Sequence, residues 1–75
     1  MGDTKDKGID TTMRPDEAVT LAMERERQAR EFYLHCAQTV ADPGVKKMFL
    51  FLANEEGRHF ELLEREYDRF VAGEN

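Results

Sequence analysis

A single cysteine, two prolines, no tryptophan and no long apolar run set the first limits on this chain of 75 residues. One cysteine excludes an internal disulfide, so the fold must hold without a covalent staple. No hydrophobic stretch approaches the length of a signal-peptide core or a membrane span, and no membrane partner is expected. A soluble, reducing, cytoplasmic setting fits best. Positive charge is also in short supply: 11 Lys and Arg against 16 Asp and Glu leave a formal net charge of -5. That balance gives no electrostatic grip on nucleic acid or anionic lipid, and the expected partners are cationic or neutral. Internal repeats, low-complexity tracts and strand-like alternation are absent as well.

What remains is helical. Residues 1-13 are rich in Gly, Asp, Lys and Thr, with only Ile9 offering apolar surface after the initiator Met, and are expected to form a disordered tail. At Arg14-Pro15-Asp16-Glu17 the character changes. Proline suits a first helical position and acidic residues in a first turn complement the helix dipole, so a helix is expected over about residues 15-40. Ala41-Asp42-Pro43-Gly44 stops it. Asp42, biased away from helical angles by the proline after it, is placed to cap a second helix over about 43-71, with Gly57 its one interior flaw and Gly73 its terminator. Residues 14-75 therefore read as one antiparallel helical hairpin in the all-α class. Two helices alone bury too little surface to be comfortably stable, so a homodimer or a higher homo-oligomer is expected.

Heptad spacing traces an apolar seam along each helix, and polar residues interrupt both. The first seam runs Val19, Ala22, Glu26, Ala29, Tyr33, Cys36, Val40. The second runs Val45, Phe49, Leu52, Glu56, His59, Leu63, Glu66, Phe70. A carboxylate where a helix wants Leu is costly unless a positive charge sits beside it, and a bound cation is the simplest remedy. A turn centred near Pro43 mirrors Glu26 onto position 60, within about one residue, or roughly 1.5 Å of rise, of His59. Glu56 and His59, three apart, share a helix face and can converge on one ion. Pairing two hairpins about a two-fold axis would complete a four-helix bundle with four Glu and two His at its centre. Two divalent cations per dimer would neutralise the four carboxylates. Oxygen-rich sites with a histidine suit iron or manganese better than the sulfur-rich sites zinc often takes.

At these residues the chain resembles the ferritin-like superfamily, and within it the rubrerythrin type and the half-length, encapsulated-ferritin type. The resemblance is carried by the segment from Ala22 to Tyr33, by the turn Asp42-Pro43-Gly44-Val45, and by the segment from Phe49 to His59. It implies a ferritin-like four-helix bundle whose metal ligands are Glu26, seven residues before Tyr33, and the Glu-x-x-His pair Glu56 and His59. It also implies iron as cofactor, two per dimer, with one carboxylate bridging, and oxidation of Fe(II) by dioxygen or peroxide for storage or detoxification. Tyr33 would then stand near the metals, supporting their ligands or taking part in electron transfer. Full-length relatives carry four helices in one chain, so here the di-iron site must form between subunits. Encapsulated relatives add a C-terminal segment that docks in a protein shell. Phe70-Val71-Ala72-Gly73-Glu74-Asn75 does not resemble it, so a shell partner or a nanocompartment location is expected only if the chain is truncated. The rubredoxin-like Cys-x-x-Cys segment is also missing.

Two other readings stand beside this one. Glu26, Glu56 and His59 can form a buried polar network that fixes register in a non-catalytic dimerisation hairpin. They can also hold zinc or manganese without redox turnover. Among the remaining residues, Tyr33 reads most simply as a core aromatic, Cys36 as a small core residue and His35 as a surface histidine. Glu31 and Glu55 are expected in solvent, and Glu66 near a helix end. Phe32, Phe51, Phe60 and Leu62 widen the apolar face beyond what one dimer interface needs.

Overall fold

The computed structural model describes residues 12-72, so most of the expected tail and the Gly73 terminator lie outside the described residues. Two helices, α1 (Pro15–Thr39) and α2 (Pro43–Ala72), pack as a hairpin, and no strand occurs among the described residues. The helix starts follow from local chemistry. At the head of α1 the Arg14 amide donates to Glu17 Oε1 at 3.1 Å, the reach-back half of a capping box. At the head of α2, Asp42 Oδ1 accepts from the amides of Gly44 at 2.7 Å and Val45 at 3.1 Å. Two of the four orphan donors of that terminus are satisfied in this way, and Pro43 has no amide to leave unpaired.

α1 ends one residue before the expected Val40, whose extended backbone (φ -88, ψ 139) turns the chain toward Pro43. The last turn of α1 carries no basic residue of its own. Lys46, from the first turn of α2, donates its Nζ to the Ala37 carbonyl. The negative end of one helix is thereby matched by a cation from the next, which ties the hairpin at its tip.

Ala37 and Ala53, each 2% exposed, are the buried core among the described residues. Both lie one position beyond a seam residue, Cys36 or Leu52, so the line of closest packing runs slightly to one side of the seam read from the sequence. The inward stripe continues through Glu26, Tyr33, Phe49 and Glu56, all half-buried. Tyr33 stacks on Phe49 across the hairpin, with ring centroids 6.1 Å apart and planes at 28°. Val45, His59, Glu66 and Phe70 are exposed despite their seam positions. A single layer of two helices covers only the stripe where they touch, and the rest of each seam faces outward.

No helix of the described residues is long and apolar enough to cross a membrane.

Candidate metal centre

Each expected ligand owes its place to helical phase. Glu26 lies seven residues before Tyr33 and eleven before Ala37, so α1 turns all three toward α2. Glu56 follows the buried Ala53 by three residues, and His59 follows Glu56 by three, which carries the pair from the contact line toward the open face. The antiparallel register brings the two helices' polar interruptions to one level. His59 Nδ1 lies 3.5 Å from Glu26 Oε1 and 3.4 Å from Glu56 Oε1.

The Glu26 and Glu56 side chains retain 27% and 18% of their exposure, whereas His59 retains 55%. Glu26 Oε1 is buried and has no hydrogen-bond partner. Its contact with His59 is too long for a good N–H···O bond, which runs about 2.7-3.2 Å. A buried oxygen without a donor costs free energy, and here a second carboxylate sits beside it. One donor atom from each of the three residues falls within 4.8 Å of the others, and no other set of three His, Cys, Asp or Glu does so among the described residues. Metal–ligand bonds of about 2.1 Å place neighbouring donors roughly 3-3.5 Å apart. The two imidazole–carboxylate separations already match that spacing. The donor set, two oxygens and one nitrogen with an orphaned oxygen among them, fits a divalent first-row cation.

The other residues singled out by sequence fall elsewhere. Tyr33 lies about two turns from Glu26 on the same stripe, against Phe49 and tilted against Phe32 at 5.7 Å. Cys36 is a half-buried free thiol, and His35 is exposed. Glu31 is exposed and pairs with Arg27 at 2.7 Å, and Glu66 pairs with Arg69 at 2.6 Å. Glu55 departs from its expected place in solvent: it is half-buried, because it precedes His59 by one turn and sits on the rim of the same face. With Arg58, Glu61 and Leu62 it lines a shallow cleft of about 450 Å³ that borders His59.

Arg30 was not singled out by sequence. Its side chain lies over Gly57, where an added Cβ would stand 3.6 Å from Nε and 3.7 Å from Cδ. The two residues border a cleft of about 660 Å³ that none of the three candidate ligands lines. A glycine in mid-helix was the available signal, since it marks a place where another group can approach closely.

Electrostatic perturbation is concentrated on the surface. Hydrogen bonds from Arg14, Arg27 and Arg69 hold the carboxyls of Asp16, Glu24 and Glu66 below their ordinary ranges. These pairs steady the exposed faces and take no part in the centre.

Comparison with curated proteins and with solved structures gave no match. The family model of rubrerythrin matches residues 4–75, a span that contains both helices and all three converging side chains. The chain belongs to the rubrerythrin family, within the ferritin-like superfamily.

Proposed function

We propose that two copies of this hairpin pair through the face that bears Glu26, Glu56 and His59, and that the completed centre binds two iron ions and oxidises Fe(II) with dioxygen or peroxide. The observation that carries this reading is the buried, unpartnered Glu26 Oε1 beside a second carboxylate and an imidazole. Membership of a family that usually binds iron favours iron as the cation. The chain offers half of a site in each copy, and pairing would bring together four carboxylates and two imidazoles, the ligand set of ferritin-like di-iron bundles.

The residues divide the work by chemistry. Glu26 and Glu56 would supply the negative charge that two divalent ions balance. His59 adds a neutral nitrogen donor and is the member open to solvent, so it stands at the mouth of the half-site. Leu52, Leu63, Phe49 and Ala29, half-buried in the single hairpin, would close over the centre on pairing and exclude bulk water, which strengthens every charge interaction inside. Iron, when bound, gives up one electron per ion, so a pair supplies the two electrons that take dioxygen to peroxide or peroxide to water. The carboxylates of Glu26 and Glu56 can accept and pass the protons that accompany this step.

A second reading rests on the His59 contacts. An imidazole 3.4 and 3.5 Å from two carboxylates can also serve as a metal-free polar network in a dimerisation hairpin, and the same donors can hold zinc or manganese without redox turnover. The discriminating experiment is to load metal-free protein with Fe(II) under nitrogen, record a melting curve, and then admit air while following near-ultraviolet absorbance. A large thermal shift followed by oxidation faster than in buffer supports the iron centre. Stabilisation by Zn(II) or Mn(II) but no faster oxidation favours the non-redox site, and no stabilisation by any of them favours the network.

A further inference from the structure

Arg30 follows Glu26 by one helical turn, and its Cδ and Nε lie over Gly57, the residue directly after Glu56. Side chains on a helix lean toward its N-terminus, so Arg30 reaches back toward the level of Glu26. Glu followed four residues later by a cation is the favourable order for an ion pair on one helix. No such pair forms here: Glu26 Oε1 has no hydrogen-bond partner, and Arg30 makes no ion pair among the described residues. Arg30 points instead across the hairpin into the cleft of about 660 Å³, which it shares with Arg27, Arg58, Glu61 and Glu64. Arg27 is already paired with Glu24 and Glu31. Helical phase turns Gly57 and Leu50 about 40° and 60° to one side of the buried Ala53, and Glu56 and His59 about 60° and 120° to the other. Arg30 therefore stands behind the metal-bearing face, and the pairing of hairpins proposed above leaves it uncovered.

We propose that Arg30 is a fixed positive charge that loosens the hold of the Glu26, Glu56 and His59 centre on its cations, and that Gly57 gives it the room to lie there. The inference rests on the metal centre proposed above and adds a positioning residue that touches none of its ligands. With Gly57 one residue from Glu56 and Arg30 one turn from Glu26, the guanidinium lies roughly 8-10 Å from an ion held by the three side chains. At that separation a unit charge and a divalent ion repel enough, even in a water-like dielectric, to change a binding constant about 5-fold. Arg30 is exposed, so salt screens this repulsion. Without a metal the sign reverses, since the same cation offsets the repulsion between the two carboxylates. Arg30 thus favours the metal-free protein over the loaded one and keeps bound ions exchangeable.

Calorimetric titration of the full chain with Mn(II) tests this. Arg30→Met keeps the stem that packs on Gly57 and removes the charge, and Arg30→Gln removes the charge with a shorter stem. Both should bind Mn(II) about 3-10-fold more tightly than wild type in about 20 mM salt, with the gap closing in about 1 M salt. Arg30→Lys should stay close to wild type. Arg69→Gln changes the net charge equally but lies ten residues beyond His59, roughly 15 Å along the helix, and should leave the affinity unchanged. Metal-free Arg30→Met should melt below wild type and gain more on adding Mn(II), whereas a merely structural residue would lower both melting temperatures. Affinity in Arg30→Met equal to or weaker than wild type overturns the proposal and leaves the metal centre standing. Tightening that persists in high salt, or that Arg30→Lys or Arg69→Gln reproduces in full, overturns it too. Loss of the fold in both charge-removing variants assigns Arg30 to the scaffold and does the same. A wild type that binds no Mn(II) overturns both this role and the centre on which it rests.

Discussion

Glu26→Gln should raise the stability of the metal-free protein and lower that of the metal-loaded one. The Glu26 and Glu56 oxygens that converge on His59 lie within 4.8 Å of each other. Two unit charges at that separation repel by about 0.9 kcal/mol in bulk water and about 3.5 kcal/mol at the effective dielectric of a protein surface. Both side chains keep some exposure, 27% and 18%, so the lower part of that range, about 1-2 kcal/mol, is the expected gain. The glutamine keeps the shape and removes the charge from a buried oxygen that has no donor. At about 4-8 °C per kcal/mol for a chain of this size, the metal-free variant should melt roughly 5-15 °C above wild type. Metal reverses the order. At a free ion concentration 100 times the dissociation constant, linkage adds about 2.7 kcal/mol to wild type, or roughly 10-20 °C, and most of this is lost without the Glu26 charge. Calorimetry of both proteins at pH 8, with chelator and then with excess Mn(II), reads all four melting temperatures at one protein concentration. A variant that melts below wild type without metal, and gains as much as wild type with it, would refute the assignment of Glu26 as a metal-holding carboxylate.

Further outcomes follow from the helices. Gly57→Ala should stabilise the hairpin by about 0.8-1 kcal/mol, because the added methyl meets Arg30 at ordinary contact distances of 3.6 and 3.7 Å; urea denaturation reads the gain, and a loss would show that something else approaches Gly57 closely. Asp42→Ala removes the acceptor of the Gly44 and Val45 amides and should cost about 1 kcal/mol, with Asp42→Asn recovering most of it. The Arg-paired carboxyls of Asp16, Glu24 and Glu66 sit below their ordinary values of 3.8 and 4.5, so the unfolded chain takes up their protons first. The stability they contribute is present above those ordinary values and is lost as pH falls through the lower folded ones. The difference in stability between wild type and an Arg14→Ala/Arg27→Ala/Arg69→Ala variant should therefore be small at pH 6, close in stronger acid, and shrink in high salt; a difference that widens in acid would contradict this.

The hairpin and its turn were legible in the sequence because the signals there are local. Proline at a helix start, Asp42 before Pro43 and an unbroken helical period each act within a few residues. The convergence of Glu26 with Glu56 and His59 was legible for a different reason: an antiparallel hairpin with a short turn leaves one register, so distance from Pro43 along one helix gives the level on the other. The contact line was less legible. Heptad spacing assigned Cys36 and Leu52 to the seam, whereas Ala37 and Ala53 are the residues covered. Hydrophobicity ranks Leu above Ala, but the stripe where helices meet most closely admits the smaller side chain. The half-burial of Glu55 and the position of Arg30 over Gly57 depend on side-chain direction, which spacing alone does not specify. Pairing of hairpins is the step that neither local signals nor the single hairpin's contacts supply, and it rests on the exposed remainder of the seams.

The central claim is that Glu26, Glu56 and His59 of two copies together hold two metal ions, and native mass spectrometry of the protein loaded anaerobically with Fe(II) tests it most directly. A dimer carrying two iron ions, with metal lost from Glu26→Gln, Glu56→Gln and His59→Ala, is the predicted spectrum. Iron saturating a monomer, or a dimer that binds none, would contradict it.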